Sequence, residues 1–289
     1  MRKTLLVISI ILATAIGTWY GQRKPVMPEF AGPTLHIAFI DVGQGDSILI
    51  QTPDGHAALI DAGASAAGPV VAGFLRRNRI YRLDLLIMTH PHADHIGGVP
   101  EVLDSIQVNH VLDSGYAHGS GLQERVLRQI AEQRIPYRIA SSGQTYQLGD
   151  RAQIKILLPA PNPLTGTASD ANNNSIAARV SFGSVNILLL GDVEFEAEGQ
   201  LIANNSDLRC DIIKVAHHGS SGSTSNEFLR LAKPAYAVIS VGADNDYGHP
   251  HRETIRRLRA AGARIFRTDE NGTVIMATDG REIRVSSQR

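Results

Sequence analysis

Between positions 89 and 98 the chain reads Thr-His-Pro-His-Ala-Asp-His-Ile-Gly-Gly, which places His90, His92, Asp94 and His95 almost side by side. Neutral imidazole and carboxylate are the donors that zinc, manganese or iron select. At the end of an extended strand, His90 and His92 project to one side and can share an ion. Asp94 and His95, at the start of the following turn, can reach a second ion. Capping or hydrogen bonding at a helix start would explain one such histidine, but not four ligand-type residues at this spacing. A second group is His217-His218-Gly219-Ser220, and a third is Tyr247-Gly248-His249-Pro250-His251. Neighbours leaving a strand point to opposite faces, so one of His217 and His218 is expected to bind metal directly. His218 is the expected ligand, with His217 behind it or facing substrate. His249 and His251, as imidazoles, suit donation to a phosphate or protonation of a leaving group; a plain surface loop is the alternative.

The elements that must position these residues are short and apolar. Residues 35–41, 47–52 and 57–61 read as strands joined by tight turns, an antiparallel arrangement. Residues 68–79 have helical spacing, with Val70, Val71, Phe74 and Leu75 on one face. The strand at 83–89 delivers the chain onto His90. Further strands are expected at 106–112, 154–158, 212–215 and 235–241, and a hairpin at 176–182 and 185–190 crosses Gly183-Ser184. Helices are expected at 121–134, 194–203 and 252–261, the last with a solvated arginine face. Hairpins followed by strands alternating with helices predict an α/β chain of two mixed sheets flanked by helices.

Residues 1–21 combine a basic start, an apolar run at 5–12 and small residues at 13–15, the layout of a signal peptide. The Trp19-Tyr20 pair allows an N-terminal membrane anchor instead. Either reading expects an exported domain, periplasmic, extracellular or tethered to the outer face of the cytoplasmic membrane. Residues 22–33, with three prolines, read as a linker, and 34–289 as the hydrolase domain.

Lysine plus arginine and aspartate plus glutamate both number 28, so the formal net charge is zero. A chain that grips a long stretch of nucleic acid is clearly basic, so any contact with DNA should be local. Cys210 is the single cysteine, which excludes an internal disulfide and a thiolate cluster. The Gly-rich segment from Asp41 to Asp46 is weak as a phosphate cradle; it reads more simply as a tight connection, with Asp41 or Asp46 supporting the site from behind. Ser220, Ser221, Ser223 and Thr224 either bind phosphate oxygens at a helix start or cap that helix.

His90-Pro91-His92-Ala93-Asp94-His95 resembles the HxHxDH signature of the metallo-β-lactamase superfamily. Asp61-Ala62-Gly63, Leu190-Gly191-Asp192 and His217-His218-Gly219-Ser220 resemble its other landmarks, in family order. Residues 39–46, Asn173-Asn174-Ser175 and the 247–251 segment resemble the hydrolase domain of ComEC-type competence DNA-uptake channels, whose relatives include stand-alone exported choline-phosphate esterases. The resemblance implies an αββα sandwich, with Asp61 orienting the metal ligands. It also implies two divalent ions, zinc or manganese, bridged by Asp192 and holding a hydroxide between them. Taken alone Asp192 reads as a helix N-cap, but beside the histidine cluster the bridging ligand is the expected role. The implied reaction is cleavage of a phosphodiester, with DNA or a small envelope or choline-type phosphoester as partner and no protein partner. A quiet binding domain is opposed by the set His90, His92, Asp94, His95, Asp192 and His218. One departure stands out. Many members carry a further histidine before the fourth motif, where this chain has only His110 and His118, far from residues 190–192. The loop expected to hold that ligand reads Asp-Ala-Asn-Asn-Asn-Ser at 170–175, so Asn173 and Asn174 are candidates beside the site, or parts of a polar loop. An amide oxygen is a harder and weaker ligand than imidazole.

Overall fold

Along residues 35–40 successive side chains divide between two apolar layers, Leu35, Ile37 and Phe39 to one and Ala38 and Ile40 to the other. A strand buried on both faces reads as a continuous apolar run, and that is how these strands read. The structure is a computed structural model and describes residues 28–204 and 208–289. The signal or anchor expected at 1–21, and the linker as far as residue 27, lie outside the described residues. Among the described residues no helix is long and apolar enough to cross a membrane.

Two mixed sheets lie face to face. In spatial order the first runs Ile283–Ser287, Val274–Thr278, Leu35–Phe39, Ile48–Gln51, Ala57–Ile60, Leu85–Met88, Val111–Asp113 and Tyr137–Ile139. Its pairing is antiparallel as far as Ala57–Ile60 and parallel beyond it. The second runs Arg264–Arg267, Tyr236–Ile239, Ile212–Lys214, Val185–Leu189, Ala177–Phe182, Ala152–Leu158 and Thr145–Leu148. Here the strands from Val185–Leu189 to Arg264–Arg267 are parallel. Between the sheets Ile37, Phe39 and Ile50 meet Ile154, Phe182 and Ile187 in one buried layer. Helices Gly68–Arg77, Val99–Ser105 and Gly121–Glu132 cover the first sheet. Phe195–Asn204, Asn226–Ala232 and Arg252–Ala260 cover the second, completing the αββα order.

Some elements differ from the sequence reading. Val70 is 46% exposed, while Val71, Phe74 and Leu75 are buried, so the buried stripe of that helix is narrower than expected. The expected strand at 106–112 breaks at Asn109-His110: Gln107–Val108 pairs with Arg82–Leu83, whereas Val111–Asp113 joins the first sheet. Edge strands Tyr137–Ile139 and Thr145–Leu148 were not expected; every residue of the former is exposed, so no apolar alternation marks it. The parallel strands matter most for chemistry. Leu85–Met88 runs into His90, Val185–Leu189 into Asp192, and Ile212–Lys214 into His217. Their C-terminal ends open together onto one crevice, the usual place for a site in such sheets.

Candidate metal centre

The residues after Met88 are held by Asp61, a buried carboxylate at φ +56°. Its Oδ1 accepts the Thr89 backbone N–H at 2.8 Å and its Oδ2 accepts the Thr89 hydroxyl at 2.6 Å. The same Oδ2 lies 2.7 Å from His95 Nδ1. A carboxylate can only accept, so His95 carries its proton on Nδ1 and turns Nε2 into the crevice. There Nε2 sits 3.2 Å from Asp192 Oδ2 and 3.8 Å from Asp94 Oδ2. His218 is set the same way. Its Nδ1 donates to the Ser240 carbonyl at 2.9 Å, and its Nε2 faces Asp192 at 3.2 Å and Asp94 at 3.3 Å. Asp94, His95, Asp192 and His218 thus present ligand atoms within 4.8 Å of one another. His90 Nε2 lies 3.9 Å from the same Asp192 Oδ2 and 3.0 Å from His92 Nδ1. Gly45 allows this assembly to close: a Cβ there would lie 2.1 Å from the Asp94 carbonyl, where the chain must pass for Asp46 N–H to donate to the same oxygen.

His95 Nε2, His218 Nε2 and Asp192 Oδ1 are buried without a hydrogen-bond partner, despite their close approaches. The atoms converge on shared space rather than along N–H···O lines, which suits a cation between them. The electrostatics agree. Burial alone would depress the His218 pKa, yet Asp192 and then Asp94 and Asp46 push it up to about 9. The carboxylates likewise raise His95 well above the ordinary imidazole value against burial. His90, buried beside the other imidazoles, is held well below it and stays a neutral donor. A divalent cation fits this donor set.

Asp46, Asp61 and His95 also cluster within 4.8 Å. That cluster already contains its cation, because the fully buried Lys214 places Nζ 2.5 Å from Asp46 Oδ2 and 3.9 Å from Asp192 Oδ1. Lys214 escaped the sequence reading. The signal was present, a lone lysine inside the apolar strand Ile212–Lys214.

The other named residues separate clearly. His217 and His218 leave their strand in a turn with φ of +47° and +51°, so strand alternation does not apply. Both line the crevice, with His217 Nδ1 3.2 Å from Glu194 Oε1 and Nε2 4.0 Å from Asp192 Oδ2. His249 lines the same crevice, and burial, followed by the neighbouring His217 and His218, lowers its pKa to about 4. His251 stands behind, its Nδ1 accepting the Ser221 N–H at 2.9 Å. Asp46 supports the centre, whereas Asp41 does not reach it and pairs with Arg289 at 2.6 Å. Ser220 Oγ accepts the Gly222 N–H, a turn contact. Asp192 caps no helix; that task falls to Asn173, whose Oδ1 accepts the Glu194 and Ala197 N–H groups. Asn174 Oδ1 accepts the Leu164 N–H. His118, far away in sequence, comes within 5.3 Å of the His92 ring, centroid to centroid, and lines the crevice with Asn172 and Tyr247.

The family model described as the metallo-beta-lactamase superfamily matches residues 40–243. The chain is 33% identical over 257 residues to ComE operon protein 3 of Bacillus subtilis, covering 82% of this chain and 32% of that protein. It is 30% identical to competence protein ComA of Neisseria gonorrhoeae, covering 81% of this chain and 31% of that protein. The chain therefore spans about a third of the length of these relatives. Among solved structures, the metallo-beta-lactamase fold protein YhfI of Bacillus subtilis superposes with a TM-score of 0.53 at 13% identity, over 84% of this chain and 99% of that one.

Proposed function

Since the chain belongs to the metallo-beta-lactamase superfamily of metal-dependent hydrolases, we propose that it cleaves phosphodiester bonds in DNA. Two divalent ions, zinc or manganese, would be held by His90, His92, Asp94, His95, Asp192 and His218, with Asp192 serving both. The observation that carries this reading is the convergence of buried ligand atoms without hydrogen-bond partners on both the His95 and His218 sides of Asp192. When bound, such ions supply an activated water and neutralise charge on phosphoryl oxygens.

The protein's own groups set the geometry. Asp61 and the Ser240 carbonyl fix the tautomers of His95 and His218 so that both lone pairs face the ions. His217, with Nδ1 3.2 Å from Glu194 Oε1, turns Nε2 toward the crevice, where it faces a phosphoryl oxygen or the departing one. His249, kept neutral by burial, offers a hydrogen bond rather than a full charge. DNA is favoured by the names of the relatives, a ComE operon product and a competence protein. We place the domain outside the cytoplasm, in keeping with the basic and apolar start of the chain.

A small phosphoester, of envelope or choline type, is the second reading. It is supported by the zero net charge and by a crevice of only about 400 Å³. The test is hydrolysis by the metal-loaded full chain of single-stranded DNA, duplex DNA and a small aryl phosphodiester, beside a His92→Ala, Asp94→Ala control. DNA cleavage lost in the control supports the first reading, and cleavage of the small diester alone supports the second. No metal-dependent cleavage of any of the three contradicts both.

A further inference from the structure

We propose that the side-chain oxygen of Asn172 is a ligand of the ion held by His90 and His92. The inference rests on the metal-binding reading above and adds a residue to it. Asn172 belongs to the short helix Asp170–Asn173, and only 4% of its surface is exposed. Its Nδ2 donates to Glu194 Oε1 at 3.1 Å. A carboxylate accepts and cannot donate, so this contact fixes which end of the amide is oxygen and turns Oδ1 away from Glu194. That Oδ1 is buried and has no hydrogen-bond donor among the described residues. Asn172 lines the same crevice as His92 and Asp192.

The two neighbouring asparagines are spent differently. Asn173 Oδ1 caps the helix Phe195–Asn204, and Asn174 Oδ1 takes the Leu164 N–H. Of the run, only Asn172 keeps a free acceptor. The need for one is asymmetric. Asp94, His95, Asp192 and His218 converge as four donors within 4.8 Å, whereas His90 and His92 form a sparser group, with His90 Nε2 3.9 Å from Asp192 Oδ2 and 3.0 Å from His92 Nδ1. Asn172 adds a donor to the sparser group. An amide oxygen is hard, so it biases this position toward manganese over zinc relative to an all-imidazole set. Because Nδ2 holds Glu194, and Glu194 holds His217, the same side chain ties the ion's surroundings to the substrate-facing histidine.

Equilibrium uptake of manganese and of zinc by the chelated full chain tests this, read by manganese electron paramagnetic resonance and by zinc competition against a chromophoric chelator. Wild type is expected to take up two ions. Asn172→Ala is expected to weaken one of them by ~10-fold or more and leave the other unchanged. Asn172→His is expected to raise zinc affinity relative to manganese at the same position; it decides the matter if the alanine variant does not fold, and an unchanged ratio then overturns the proposal. Two ions bound by Asn172→Ala with wild-type affinities overturn this proposal alone. A wild-type chain that binds no ion overturns it together with the reading beneath it.

Discussion

The ammonium of Lys214 lies 2.5 Å from the carboxylate of Asp46, with both side chains buried directly behind Asp192. Two carboxylates thus share one protein cation that does not depend on metal. Removing one member of a buried pair leaves the other uncompensated. Lys214→Met is therefore expected to destabilise the metal-free protein by about 3–5 kcal/mol, measured by urea denaturation. Adding Asp46→Asn should recover part of that loss, since the stranded charge is then gone. Equal losses from the single and the double variant would show that the pair carries no such role.

Asp61 reaches its position with φ +56°, a conformation that asparagine tolerates better than most residues. Asp61→Asn should keep the backbone and the amide oxygen that accepts from Thr89, but lose the charge behind His95 Nδ1. Metal affinity is expected to fall about 10- to 100-fold with thermal stability of the chelated protein little changed. Chelator competition measures the first quantity and a melting curve the second. Unaltered metal affinity would place Asp61 in a purely structural role.

Glu198 is buried behind the 220–225 loop, accepting the Thr224 and Ser225 N–H groups. Burial foremost raises its pKa from 4.5 to about 7, against those donors and Arg257. The folded state then holds the proton more tightly than the unfolded one. Its contribution to stability is greatest below pH 4.5, declines as pH rises toward about 7 and is flat above. The decline amounts to at most about 3 kcal/mol. Stability curves of wild type and Glu198→Gln should diverge in that window and run parallel outside it. Parallel curves throughout would contradict the buried, proton-linked carboxylate.

Legibility of the site followed the range of the interactions. The segment from His90 to His95 announces itself because its ligands are neighbours in sequence and sit at the end of an apolar strand, and the αββα order follows from the alternation of such strands with helices. Long-range partners are silent. His118 meets His92 only because the sheet brings their loops together. Lys214 reads as an interruption of a strand until Asp46 is seen against it. The three asparagines look alike in sequence; which one faces the crevice is decided by hydrogen bonds to Glu194, 22 residues after Asn172 and just ahead of the helix Phe195–Asn204. The His217-His218 turn misled for a local reason, since its left-handed backbone cancels the alternation expected of a strand.

On the proposed function, the cluster around Asp192 binds two divalent ions and hydrolyses a phosphodiester with them. The most direct measurement is to titrate manganese or zinc into the chelated full chain while following phosphodiester cleavage. On this reading there is no cleavage without metal, recovery on addition and a plateau at two ions per chain, with Asp192→Asn remaining inactive throughout. Cleavage that survives chelation, or a chain that stays inactive at every metal loading, would contradict it.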